Sequence, residues 1–112
     1  CRMDAQALAF PDASFDTVTS SLSTCTFPDP IAALSEMARV CRPGGQILLL
    51  EHGRANVAAI GRAQDRLADW NARIVGCHWN RPTLDLVQRA GLRLVAVRTH
   101  VAGAITAIEA TP

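Results

Sequence analysis

The chain has 112 residues, 49% of them hydrophobic, and a formal charge of +1. That length suits one domain or part of a larger one, with enough apolar material for a core. Acidic and basic residues are interspersed, which excludes the clustered positive surface that engages nucleic-acid phosphates. No apolar run approaches a membrane span, and the first residues do not read as a secretory leader. The cysteines, Cys1, Cys25, Cys41 and Cys77, have no CxxC spacing and read as buried thiols of a cytosolic protein. An opening on Cys1 rather than Met is what a fragment would show.

In chain order, SFDTVTSSL (14–22) is β-branched and bounded by turn residues, which predicts a strand. FPDPIAALSEMARVCRPGG predicts a helix with Asp29 as N-cap and Pro30 at the first helical position. Ile31, Leu34, Ala38 and Cys41 fall near one face, Arg39 suits the dipole in the last turn, and Pro43-Gly44-Gly45 stops the helix. QILLLEH (46–52) predicts a strand, and its apolar run Ile47–Leu50 is that of a central strand covered on both faces. Strand, helix and strand in this order imply a right-handed parallel crossover. A second helix is predicted over roughly 56–73, with Val57, Ile60, Leu67 and Ile74 on one stripe that Gln64 and Asn71 interrupt. Gly61 weakens it by roughly 1 kcal/mol. VGCHWN reads as a loop, and RPTLDLVQRAG as a short helix opened by Pro82 and closed by Gly91. LRLVAVRTHV and AITAIEA read as strands joined through Ala102-Gly103, a link too short for a crossover, so they are antiparallel. The sum is an α/β architecture whose sheet is open at one side, with the first strand an edge that lacks a neighbour.

DAQALAFPDASFDTV followed by ALSEMARVCRPGGQILLLEH resembles the second half of a class I S-adenosylmethionine-dependent methyltransferase, nearest the ubiquinone/menaquinone-biosynthesis type. SSLSTCTFPDP and GCHWNRPTLDLVQRAGL resemble the branch of bacterial phosphatidylethanolamine N-methyltransferases and methyltransferase-like thiol methyltransferases. The resemblance implies the C-terminal portion of a Rossmann-like methyltransferase fold, parallel strands followed by an antiparallel terminal pair. It implies S-adenosylmethionine as cofactor. Asp4 and Ala5 match the acidic-plus-small pair after the family's third strand, where the carboxylate accepts from the adenine amino group. Segment 14–22 becomes the fourth strand, with Ser20, Ser21 and Leu22 toward the methionine part of the cofactor, at the edge where ligands sit in open α/β sheets. Segment 46–52 becomes the fifth strand. The family's glycine-rich loop and ribose-binding acidic residue are expected upstream of Cys1, and Gly44-Gly45 cannot replace them because it precedes a strand. Residues 1–112 therefore read as a partial methyltransferase domain, near-inactive alone and completed by a missing N-terminal half.

Glu51 and His52 close the fifth strand at the same edge. They would orient an acceptor or move a proton, or else form a solvated strand-end pair. Trp70 and Trp79 would line an acceptor pocket or cover the core. His78 is placed on the substrate side. Cys77-His78 offers two adjacent potential ligands with no second pair, so no metal is assigned. Arg81 and Pro82 match a substrate-side element of the branch, although a helix-start Pro needs no such role. His100 and Glu109 read as structural. No catalytic residue is nominated, because in-line methyl transfer to a thiolate or free amine needs alignment rather than a dedicated base. The expected acceptor is a small molecule or a lipid headgroup, with no nucleic acid, and the expected location is cytoplasmic, with peripheral membrane contact for a lipid acceptor. Two rivals are a non-catalytic scaffold module derived from a methyltransferase and a nicotinamide-dependent oxidoreductase, which the antiparallel ending disfavours.

Overall fold

The computed structural model describes residues 2–112, so Cys1 and its reading lie outside the described residues. The elements are β1 (Phe15–Ser21), α1 (Pro30–Val40), β2 (Cys41–His52), α2 (Ala58–Val75), α3 (Thr83–Arg89), β3 (Arg93–His100) and β4 (Ile105–Thr111). One four-stranded sheet has the order β1-β2-β4-β3. β1 runs parallel to β2 across the α1 crossover, and β4 pairs antiparallel with both β2 and β3. The terminal hairpin thus inserts its second strand beside β2, and β1 forms an edge as expected.

α1 starts where the local chemistry places it. Asp29 Oδ1 accepts from the Ala32 N–H at 3.0 Å, and Pro30 opens the first turn without an unused N–H. The helix ends earlier than Pro43. Cys41 already pairs with Phe15, so Pro43-Gly44-Gly45 falls inside β2, at a register shift between Phe15 and Thr17. Gly44 has φ +78°, and a Cβ on Gly45 would stand 2.7 Å from the Asp16 carbonyl oxygen. The glycine pair therefore makes an irregular strand entry rather than a separate loop. Arg39 does more than suit the dipole. It donates to Glu36, to Asp12 and to the carbonyls of Leu8 and Phe10, while Glu36 accepts from the Leu8 N–H at 2.8 Å. This ion pair straps the N-terminal segment onto α1. Its hydrogen bond from Arg39 holds the Glu36 carboxyl down at about 2.

α1 and α3 cover one face of the sheet. Leu34, Met37, Val87 and Leu92 pack there against Ile47, Leu49, Ile108 and Ala110. Each fully buried side chain of this size contributes about 1.5–3 kcal/mol. The other face is bare, which corrects the expectation that β2 is covered on both sides. Leu48 is 38% and Leu50 43% exposed, and Ala96 and Arg98 of β3 lie on the same face, in register with Glu109 and Ala107. A shallow hollow of about 420 Å³ on this face is lined by Ser21, Leu48, Leu50, Arg98 and Glu109. The physical reason is simple: both covering helices lie on the same side, and no described segment lies on the other.

α2 also departs from expectation. Its apolar stripe, Val57, Ile60, Leu67 and Ile74, is exposed, and the buried positions are Gly61, Ala68 and Asn71. The predicted interruptions are the attachment points. Gln64 accepts from the Ala55 N–H at 2.6 Å and donates to the Gly53 carbonyl at 3.0 Å. Gly61 permits the approach, since a Cβ there would stand 2.8 Å from Arg54 Cζ. Arg54 then pairs with Asp65 at 3.0 Å. The link between β3 and β4 carries Val101 and Ala102 at φ +52° and +54°, and the Ala102 carbonyl accepts from the Asn56 N–H at 2.8 Å.

Candidate functional site

Because β1 and β2 are parallel, their carboxyl ends open at one edge. Leu22 leaves β1 at φ +52°, a left-handed conformation that costs a leucine on the order of 1–3 kcal/mol. Its N–H donates to the Leu50 carbonyl at 2.7 Å, which turns the chain toward β2. There Glu51, 0% exposed, captures the loop: Ser20 Oγ donates to Oε1 at 3.0 Å, and the N–H groups of Ser23 and Thr24 donate to Oε2 at 3.1 Å. Three such charge-assisted bonds offset the desolvation of a buried carboxylate. Glu51 is thus no solvated strand-end charge. It is a positioning residue whose bonds fix the loop after β1.

A second loop, after α2, closes on the first. The His78 N–H donates to the Cys25 carbonyl at 2.9 Å, and Arg81 Nη1 donates to the carbonyls of Thr24 at 2.6 Å and Phe27 at 2.9 Å. Buried Asn71 donates to the Cys77 carbonyl at 2.6 Å. These bonds bring Cys25, His52 and Cys77 together. Each offers one ligand-type atom, all within 4.8 Å of one another. His52 Nε2 lies 3.8 Å from Cys25 Sγ and 3.7 Å from Cys77 Sγ. Burial pushes the Cys25 thiol up to about 12, with the hydrogen bond and charge of Cys77 and the charge of Glu51 adding to it. By itself that thiol is an inert nucleophile at neutral pH. Thr24 Oγ1, next in the chain, is buried without a hydrogen-bond partner among the described residues.

The residues singled out in the sequence scatter around this edge. Ser20 and Glu51 bond directly, and His52 and His78 join the two loops. Ser21 and Leu22 are exposed at the end of β1. Asp4 is exposed and Ala5 half-buried in a turn where Asp4 Oδ1 accepts from the Gln6 N–H at 2.9 Å. Gln6 Oε1 accepts from the Asp29 N–H at 2.6 Å, which moors that turn at the start of α1. Trp70 is 60% exposed on α2, whereas Trp79 donates from Nε1 to the Gln64 carbonyl at 3.1 Å. Sequence reasoning weighed Cys77 as a metal ligand only beside His78, and did not bring Cys25 and Cys77 together with His52. They lie 27 and 25 residues from His52, with no local motif to join them. The one available signal was topological, since each lies in a loop reaching the carboxyl edge of the sheet.

A parallel βαβ unit followed by an antiparallel hairpin whose last strand adjoins the parallel pair defines a methyltransferase-type α/β fold. The structure of an S-adenosylmethionine-dependent methyltransferase from Mesorhizobium loti shares it, with TM-score 0.75 and 20% identity, covering 100% of this chain and 68% of that one. The family model of the methyltransferase domain matches residues 1–49. The chain is 33% identical over 88 residues to the mitochondrial methyltransferase OMS1 of Saccharomyces cerevisiae, covering 78% of this chain and 19% of that protein. It is 39% identical over 67 residues to a phosphatidylethanolamine N-methyltransferase of Cereibacter sphaeroides, covering 60% of this chain and 33% of that protein. The chain is thus similar to class I methyltransferases in sequence and in fold, and the cofactor of those proteins is S-adenosylmethionine. It spans between a fifth and a third of the length of these two curated relatives. Among the described residues, no helix is long and apolar enough to cross a membrane.

Proposed function

We propose that the intact protein transfers a methyl group from S-adenosylmethionine to a lipid headgroup or a small molecule presented at a membrane surface. The observation that carries the reading is the locked edge: the strained Leu22 turn and the Glu51 bonds hold the loop after β1 in one shape where this fold places its cofactor. The residues present fit part of that cofactor. Asp4 Oδ2 takes no part in the turn bond that Oδ1 makes, so it remains an acceptor for an adenine amino group. Bound cofactor supplies an electrophilic methyl carbon on a sulfonium. The chain's own task is alignment: Asp4 would read adenine, Glu51 would keep Ser20 to Thr24 in place, and upstream residues would supply the remaining cofactor contacts. No residue is assigned as a base.

The membrane side of the reading rests on α2. Ile60, Leu67, Trp70 and Ile74 are exposed along one stripe, bordered by exposed Arg62, Arg66 and Arg73. An apolar stripe with Trp and flanking cations is the composition of a helix lying in a membrane interface. The phosphatidylethanolamine N-methyltransferase relative agrees with it. Calorimetric titration of the intact protein with S-adenosylmethionine tests the first half: binding is expected, weakened in Asp4→Ala. No binding would overturn methyl transfer in favour of a non-catalytic module. Co-sedimentation with vesicles of anionic phospholipid tests the second: wild type should pellet and Leu67→Glu/Ile74→Glu should not. Equal behaviour of the two would overturn the membrane assignment alone.

A further inference from the structure

We infer that Cys25, His52 and Cys77 form a binding site for a single thiophilic divalent cation, with zinc the best fit. In tetrahedral coordination, zinc–sulfur bonds of about 2.3 Å and a zinc–nitrogen bond of about 2.0 Å put sulfur and nitrogen about 3.5 Å apart. His52 Nε2 lies 3.8 Å from one sulfur and 3.7 Å from the other, and the three ligand atoms all lie within 4.8 Å of one another, so they need only draw together around an ion. Two sulfurs and an imidazole select zinc over magnesium or calcium, which prefer oxygen.

The site is built rather than accidental. Each cysteine's backbone is anchored by a bond that serves no helix or strand: the Cys25 carbonyl accepts from His78, and the Cys77 carbonyl from buried Asn71. His52 ends β2, so its backbone is held by the sheet. Glu51 precedes it and bonds the Thr24 N–H next to Cys25, which places a buried carboxylate beside the cluster. Uptake would release the two thiol protons to solvent. Cys25 is buried whereas His52 and Cys77 are only half-buried, so the inner side is closed and the outer side open. Three protein ligands with an open side leave a fourth position for water or an exchangeable ligand.

The test needs no methyl transfer, so its outcome is independent of the proposed reaction. Intact protein, purified under reducing conditions and stripped of metal, is titrated with cobalt(II) alone. One equivalent should bind, with sulfur-to-cobalt charge-transfer absorption in the near ultraviolet and the intense visible bands of four-coordination. Zinc should displace it. Cys77→Ser and Cys25→Ser should each weaken binding by on the order of 100-fold or more, the share of one ligand among three. Cys41→Ser, a buried thiol outside the cluster, should bind as wild type does. Circular dichroism separates loss of a ligand from loss of fold, and half-buried Cys77 is the variant least exposed to that confusion. Cobalt spectra unchanged in a folded Cys77→Ser protein would overturn the site. So would reduced protein that takes up no cobalt.

Discussion

Leu49 and Leu50 are neighbours on β2 with the same side chain and opposite surroundings. Leu49 is 2% exposed against α1 and α3, while Leu50 is 43% exposed on the bare face. Alternation along a strand sends them to opposite sides of the sheet, and the two covering helices lie on one side only. Purely polar strands tolerate such a face, but Leu48 and Leu50, beside Ala96 and Ala107, do not belong in water as a group. The difference makes the bare face a candidate interface. In the intact protein, we expect upstream helices to cover it, as parallel strands require.

Substitution breaks or sharpens this contrast. The largest effect is expected at Leu49→Ala, about 3 kcal/mol lost from a well-packed core. In the intact protein Leu50→Ala should approach the same loss, which urea unfolding of both variants would measure. A Leu50→Ala cost below about 1 kcal/mol would mean that the bare face stays bare. Glu51→Ala comes next, at about 2–3 kcal/mol, because it strands the N–H groups of buried Thr24 and half-buried Ser23. The same urea experiment reads it, and Glu51→Gln should recover part of the loss. Val101→Gly should raise stability by about 1 kcal/mol, because it relieves a β-branched residue at φ +52°, and thermal unfolding would show the gain.

The smallest effect concerns acid. Glu36 is held below its ordinary value by Arg39, so its contribution is full above pH 4.5 and is lost as the pH falls toward about 2. An acid-unfolding profile should flatten across that window in Glu36→Gln, which lacks the contribution at neutral pH as well.

Local chemistry made much of the fold legible. Asp29 and Pro30 announce α1, the β-branched residues 17–19 announce β1, and Ala102-Gly103 announces the hairpin, because capping and turn geometry depend on residues close in the chain. α2 shows where such reading stops. Its periodicity grouped Ile60, Leu67 and Ile74 correctly on one stripe. Periodicity cannot say which side of a helix meets protein, and here Gln64 and Asn71 do. The candidate site was half legible. Ser20, Glu51, His52 and His78 follow from the resemblance and the strand ends, whereas the partnership of Cys25, His52 and Cys77 does not.

The sequence by itself determined the elements, their caps, the parallel start and the antiparallel end, since these depend on local backbone preference and short links. Only the tertiary structure decided that β4 lies beside β2, that one sheet face stays bare, and that three distant loop and strand-end residues converge on one point. Those outcomes depend on long-range packing and on hydrogen bonds between loops, whose partners no spacing along the chain reveals.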